Sequence, residues 1–376
     1  MLLALYEEVV QALDARRLVR SRRLPSQAVV LGLGKIAAEM CPETFARALL
    51  VIPRDAPAPP GARVLRGSHP LPDEASLQAG EALLAAARAC KPDDEVLLLI
   101  SGGGSALAEA PQPGVDVRPL YEALLRSGAP IEEMNCVRAH ASRLKGGGLS
   151  RALHAAGVRR AHALVAVDVP VGGVRAVSSG PAAGDPTTCA DAEAISRRYS
   201  LPRVSFHETL KPGEPADFVE HEAICDLRSP ALEAARRAPV TLLQSPVRGS
   251  IEAFAAKLDA LGSGFFAASG ELEVRVPADA PPGGRDQQLA LVMAKLLRGR
   301  SDAAFLAAGT DGRDGPTSSA GAVVDGRTWD EAERRGLGPD EALGKFDAAR
   351  VLAALGCLIP ARHTGAHAGD LYLLRG

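Results

Sequence analysis

Glycine is concentrated where apolar runs stop, and that placement constrains the fold more than any other feature of the chain. Val29-Val30-Leu31 leads into Gly32-Leu33-Gly34-Lys35, and Val96–Ile100 leads into Ser101-Gly102-Gly103-Gly104-Ser105. Ala303–Ala308 leads in the same way into Gly309-Thr310-Asp311-Gly312-Arg313-Asp314-Gly315. Continuous apolar runs of this length suit strands buried on both faces. Leu49–Ile52 and His162–Val167 are further strands of that kind, while Glu74–Cys90 and Asp116–Ser127 carry apolar residues at helical spacing. Strand–helix alternation implies an α/β fold with a parallel sheet, whose ligands sit beyond the carboxyl ends of the strands.

The rhythm fails from Pro202 to Pro246, where Pro and Gly recur, and a domain junction is expected there. Beyond it the pattern predicts a helix at Ile251–Leu261, a strand at Glu271–Val276, a helix at Arg285–Leu297 and a terminal strand at Leu371–Leu374. Glu7, Glu8 and Asp14 make the N-terminal stretch an amphipathic helix rather than a cleaved signal. A length of 376 residues suits two domains. A net charge of −2 and only 3% aromatic residues argue against nucleic-acid or phospholipid partners. The longest apolar run falls far short of the roughly 20 residues of a membrane helix. Six scattered cysteines form no CxxC pair, so reduced thiols, a cytoplasmic location and no structural zinc are expected.

The chemistry-bearing residues sit in the glycine loops. Lys35 adds a positive charge to a Gly-x-Gly turn that opens a helix, a place where backbone amides meet anions. A dinucleotide turn remains an alternative there, although no acidic residue closes the Leu49–Ile52 strand. Ser101, Gly102, Gly103, Gly104 and Ser105 expose amides and hydroxyls suited to a carboxylate or phosphate. Arg138, Ser142 and Lys145 share one helical face leading into Gly146-Gly147-Gly148. Asp168 follows a strand, where a carboxylate serves as base or Mg²⁺ ligand. Asp185, Thr187 and Thr188 form an anion-loop candidate or, equally, a helix cap. Arg285 opens a helix after a glycine pair, and Thr310, Asp311 and Asp314 offer nucleotide or metal contacts. His363 and His367 are spaced like a zinc pair, but Gly365 and Gly369 argue against a helix there.

Taken in order, these loops resemble the class II glycerate 2-kinase family, whose C-terminal part is the MOFRL domain. The resemblance is carried by Gly34-Lys35, His69-Pro70-Leu71-Pro72-Asp73-Glu74-Ala75-Ser76, Ser101–Leu107, Asn135–Lys145, Ser179-Gly180-Pro181 with Asp185–Thr188, and Gly309–Gly321. It implies a Rossmann-like, doubly wound N-terminal domain over 1–240 and a smaller α/β MOFRL domain over 241–376. It also implies ATP- and Mg²⁺-dependent phosphorylation of the 2-hydroxyl of D-glycerate in a cleft between the domains. On that pattern Lys35, Asp168 and Arg285 are catalytic, and Ser101–Ser105, Arg138 and Lys145 hold the substrate. Thr310, Asp311 and Asp314 then contact nucleotide, while Asp168 and Asp314 hold Mg²⁺. The partner is a small hydroxy acid, and a homodimer stays open. The chain departs from the family at Asp286 and Gln288, where Asn and Glu are usual, at Ala139 in place of a basic residue, at Pro170–Gly173 after Asp168, and near Gly369. A diverged anion-binding relative and an NAD(P)-dependent hydroxypyruvate reductase are the alternative readings.

Overall fold

The computed structural model describes residues 1–169, 171–277 and 279–376, so the departure at Pro170 lies outside the described residues. Two compact units are present: Leu18–Ile224, and Met1–Arg17 together with Cys225–Gly376. This division differs from the junction expected at 240 in two ways. The irregular segment after Leu201 folds back onto the first unit, with the His207 amide donating to the His140 carbonyl (2.9 Å) and the Leu210 amide to the Gly146 carbonyl (2.9 Å). The first helix, α1 (Leu2–Ala12), belongs with the C-terminal residues, where the Tyr6 hydroxyl donates to the Gly309 carbonyl at 2.7 Å.

The first unit is built on β1 (Val29–Leu33), β2 (Arg47–Pro53), β3 (Arg63–Gly67), β4 (Glu95–Ile100), β5 (Arg160–Ala166) and β6 (Glu220–Cys225), in the spatial order 3-2-1-4-5-6. Strands β1 to β5 pair in parallel, and β1 lies between β2 and β4. The order is that of a doubly wound sheet, and the chain reverses its direction of travel across the sheet at β1 and β4. After α2 (Ala15–Arg20), in which the chain passes from one unit to the other, the helices of this unit run α3 (Glu74–Arg88), α4 (Gly104–Leu107), α5 (Val117–Arg126), α6 (Ile131–His140), α7 (Gly148–Ala155) and α8 (Cys189–Arg198). Leu31, Leu49, Leu83, Leu98, Leu153 and Val165 anchor its core, and a side cluster of Leu120, Leu124, Val137 and Ile195 fixes α6 against α5 and α8.

The second unit contains β7 (Thr241–Leu242), β8 (Phe265–Gly270), β9 (Ala304–Gly309), β10 (Ser319–Asp325), β11 (Leu358–Pro360) and β12 (Asp370–Arg375), ordered 11-10-9-12-8-7 in a mixed sheet. The helices α9 (Ser229–Arg237), α10 (Ile251–Asp259), α11 (Arg285–Leu296), α12 (Thr328–Arg334), α13 (Pro339–Gly344) and α14 (Ala348–Leu355) complete it. Trp329, Phe305, Tyr372, Leu291 and Met293 lie in the core. The strand expected at Glu271–Val276 is absent. Its place is taken by β8, six residues earlier, while Glu273 makes only an isolated bridge to Ser250. Strand β8, which lies between β12 and β7, opens on Phe265-Phe266 but continues as Ala-Ala-Ser-Gly, so it lacks the run of branched side chains that marks a strand in sequence. Among the described residues no helix is long and apolar enough to cross a membrane.

Candidate active site

The glycine loops after β1 and β4 meet at the carboxyl end of the sheet, where its topology reverses. Gly34 has φ 130°, and a Cβ there would stand 2.2 Å from Ser101 Oγ, so only glycine lets the two loops touch. Ser101 is buried, and its hydroxyl accepts from the Ile36 amide at 3.1 Å. The Lys35 amide donates to the Gly102 carbonyl at 2.9 Å. The Lys35 side chain lies across Gly103, where an added Cβ would fall 3.0 Å from its Cγ and 3.3 Å from His69. The side chain is thus guided over the β4 loop, and among the described residues no carboxylate pairs with its ammonium.

Three further segments brace this loop. Ser178 Oγ donates to the Ser101 carbonyl at 2.7 Å, and Ser105 and Ser179 share a hydroxyl–hydroxyl bond of 2.7 Å. Ser179 in turn donates to Asn135 Oδ1 at 2.8 Å, which links the β4 loop to α6. Ser178 and Ser179 have φ of 55° and 58°, a left-handed geometry that costs roughly 1–2 kcal/mol per non-glycine residue. The Gly146 and Gly147 amides, donating to the Ser179 and Gly180 carbonyls at 3.0 and 2.7 Å, hold that geometry in place. Strained backbone held by its surroundings is typical of functional sites.

The two cations read from the Asn135–Lys145 segment have different surroundings. Arg138 is 7% exposed and its guanidinium lies 4.7 Å from the centre of the Tyr121 ring. Its buried Nε has no hydrogen-bond partner, a costly arrangement for an arginine unless an anion completes it. Lys145, expected to hold substrate, is instead in a buried ion pair: its Nζ stands 2.5 Å from Glu109 Oε2, with both side chains 1% exposed. Glu109 also accepts from Tyr121 (2.7 Å), Ser142 (2.5 Å) and the Ala110 amide (2.8 Å). Burial pulls the Lys145 ammonium below the usual lysine range, partly offset by Glu109. Glu109 and Tyr121 carry no motif signal, and only the fold brings them under Lys145. Asp168 follows β5, two residues past its end, and is half-buried. The Asp185–Thr188 group is a cap: Thr188 and Asp191 form a capping box on α8, and Asp185 accepts from the Thr187 amide at 3.0 Å.

In the second unit, Arg285 opens α11. Its Nε and Nη2 bond Asp370 at 2.6 and 3.0 Å, and Glu271 stands 3.1 Å from Nη2. Burial alone would lower its pKa, but Asp370, Glu271 and Asp286 hold it above the usual arginine value. Asp314, expected to contact Mg²⁺ or nucleotide, caps this helix, accepting from the Asp286 amide at 3.2 Å and the Gln287 amide at 2.8 Å. A Cβ on Gly284 would collide with that carboxyl at 2.1 Å. Burial, opposed by those two amides, pushes Asp314 up to about 7. Thr310, the other expected nucleotide contact, joins its loop to the terminal strand: its hydroxyl donates to the Gly369 carbonyl at 2.6 Å and accepts from the Ala368 amide at 3.0 Å. Asp311 Oδ1 accepts from the Arg313 amide at 2.9 Å. Asp286 is 1% exposed and neither carboxyl oxygen has a hydrogen-bond partner. Burial, with Asp370 and Asp314 adding to it, raises that carboxyl well above the usual range, and Arg285 offsets part of the rise. His363 and His367 do not form a metal cluster among the described residues.

Fold and loops together define an α/β protein with a doubly wound sheet, whose switch-point loops bring Lys35 and the glycine- and serine-rich turn after β4 together. A family model described as a domain of unknown function, DUF4147, matches residues 2–210, and the MOFRL family model matches residues 265–370. The chain belongs to the glycerate 2-kinase family that unites these two domains. It is 33% identical to a D-glycerate 2-kinase of Thermotoga maritima over 82% of this chain and 79% of that protein. A relative from Agrobacterium vitis that carries a hydroxypyruvate reductase name is 34% identical over 91% of this chain and 86% of its own. The crystal structure of a glycerate kinase from Thermotoga maritima superposes with a TM-score of 0.87 at 26% identity, covering 99% of this chain and 97% of that one.

Proposed function

We propose that this chain phosphorylates the 2-hydroxyl of D-glycerate from ATP in the presence of Mg²⁺, giving 2-phosphoglycerate. The observation that carries the reading is the switch-point loop pair, Gly34–Lys35 against Ser101–Ser105, with Lys35 and Arg138 unpaired by any carboxylate among the described residues. Phosphoryl transfer depends on positioning and charge neutralisation more than on covalent participation. The loop amides and the Ser105 hydroxyl suit the glycerate carboxylate or a phosphate, with Arg138 completing the charge, while the buried Ser101 hydroxyl accepts from the Ile36 amide and supports the loop from below. Lys35 serves as a cation for the transferring phosphoryl group, and Asp168 orients or deprotonates the attacking hydroxyl, whereas Arg285 is already engaged by Asp370 and Glu271. Asp311 remains a nucleotide contact.

Mg²⁺ takes one or two carboxylates plus phosphate oxygens, and it would neutralise charge on the phosphates. The half-buried Asp168 carboxylate fits that demand. Asp314 does not, because both of its oxygens accept helix amides. Family membership, the lack of a membrane-spanning helix among the described residues and six free cysteines support a cytoplasmic enzyme acting on a small molecule. The reductase reading lacks a matching feature at the end of β2. That strand closes on Ile52-Pro53 with no acidic residue at its end for a ribose diol, Asp55 following two residues beyond it, and Arg54 is paired with Asp73.

The test is ADP release with D-glycerate, ATP and Mg²⁺, the product identified by phosphorus–proton correlation spectroscopy, beside a parallel assay of hydroxypyruvate with NADH and NADPH. Phosphate on the 2-oxygen is expected. Nicotinamide oxidation without ADP release would overturn the proposal.

A further inference from the structure

His140, Cys189 and Glu208 form a cluster that the kinase reading does not use. One ligand atom from each lies within 4.8 Å of the other two. They come from three separate places: the last turn of α6, the first residue of α8, and the irregular segment after Leu201 that packs back onto the first unit. His140 is fully buried, and its Nδ1 lies 2.9 Å from the Cys136 carbonyl. A carbonyl only accepts, so Nδ1 is the donor in that contact and Nε2 is the nitrogen left for a metal. That Nε2 is buried without a hydrogen-bond partner, and it faces Glu208 Oε2 at 3.9 Å. An imidazole fixed by a carbonyl on one nitrogen, with the other nitrogen bare, is the usual disposition of a metal-ligating histidine. Glu208 is held as well, its Oε1 accepting from the Cys189 amide at 2.9 Å.

We propose that His140 Nε2, Cys189 Sγ and a Glu208 carboxylate oxygen bind a divalent d-block cation, Zn²⁺ foremost, with an open fourth position for water. One nitrogen, one sulfur and one oxygen are a zinc donor set, and three protein ligands leave a coordination position free. The edges of a tetrahedron built at zinc–ligand distances are about 3.5 Å, so the present spacing closes with small side-chain rotations. Cys189 binds as thiolate, and its proton leaves to solvent on metal binding. Thiolate and carboxylate then balance the two charges of the cation. Lys211, 2.7 Å from Glu208 Oε2, must release or share that oxygen, and its contact with Thr209 Oγ1 at 2.8 Å gives the ammonium another partner. An occupied site would tie α6, which carries Asn135 and Arg138, to α8 and the folded-back segment.

Cobalt titration of the chelator-treated full chain tests this directly. One equivalent of Co²⁺ should bind with a thiolate-to-cobalt charge-transfer band and the visible absorption of a tetrahedral centre, both removed by Zn²⁺. Cys189→Ser should lose the charge-transfer band and bind at least about tenfold more weakly. Cys136→Ser should keep the band, although that thiol lies 4.0 Å from His140 Nδ1. Glu208→Gln, at an exposed position, should weaken Co²⁺ binding about tenfold and retain the band. The proposal fails if the chain shows no saturable one-equivalent binding, if the band survives in Cys189→Ser, or if Glu208→Gln binds Co²⁺ as tightly as the parent.

Discussion

Replacing Lys145 by methionine separates two roles for a residue whose motif suggests substrate and whose surroundings indicate support. The methionine fills nearly the same volume but leaves Glu109 as a carboxylate at 1% exposure, still bonded to Tyr121, Ser142 and the Ala110 amide. Removing one member of a buried ion pair costs about 3–5 kcal/mol, because the remaining charge has lost both water and its partner. In a unit of roughly 200 residues that corresponds to a fall in Tm of about 6–20 °C. Adding Glu109→Gln should recover most of the loss, since the glutamine oxygen keeps an acceptor in place and the charge is gone. The assay is thermal unfolding of the two single variants and the double variant, with KM for D-glycerate measured below the lowest transition. If Lys145→Met melts within about 1 °C of the parent and raises KM more than tenfold, the ammonium is a substrate contact and the supporting role assigned here is wrong.

Other outcomes follow from the same geometry. Lys35→Ala should lower kcat/KM at least about a hundredfold with little change in Tm, and Arg138→Lys should lower it by a similar factor, checked by steady-state kinetics beside melting curves. Asp286 and Asp314 both have carboxyl groups raised in the folded state. The folded chain therefore holds these protons more tightly than the unfolded chain, so their contribution is fully present below about pH 4 and is lost as pH rises, for Asp314 through about 7. Asp286→Asn should accordingly gain stability over the parent, by a margin that widens from pH 5 to pH 8 in denaturant titrations. A margin independent of pH would refute the buried-carboxyl account. Gly284→Ala should displace the Asp314 cap and lower Tm and activity together, and a variant with unchanged Tm would show that the helix start tolerates the clash.

Much of the scaffold was legible because it is written locally. The helix expected at Glu74–Cys90 is observed as α3 over Glu74–Arg88, and its Asp73 cap accepts from the Ser76 amide. The strands at Val29 and Val96 carry unbroken apolar runs and end at glycines. β3 and β8 were missed for a physical reason: a half-exposed strand with two arginines and a strand that passes from two phenylalanines into Ala-Ala-Ser-Gly both lack the branched apolar run. The glycine loops pointed to the candidate residues, the resemblance gave them roles, and the structure then divided them. Lys35, Ser101 and Ser105 share one corner, while Lys145, Thr310 and Asp314 are engaged in holding loops and a helix start.

Strand ends, glycine turns and the order of the motifs were determined by the sequence itself, since each depends on neighbours a few residues apart. Which cation stays available and which is neutralised was decided by tertiary structure, because Glu109 lies 36 residues from Lys145 and Asp314 lies 28 from Asp286. The same holds for the side chains of His140, Cys189 and Glu208, which no spacing rule connects. A charge is priced by the water it has lost and the partners it meets, and only the folded chain determines either.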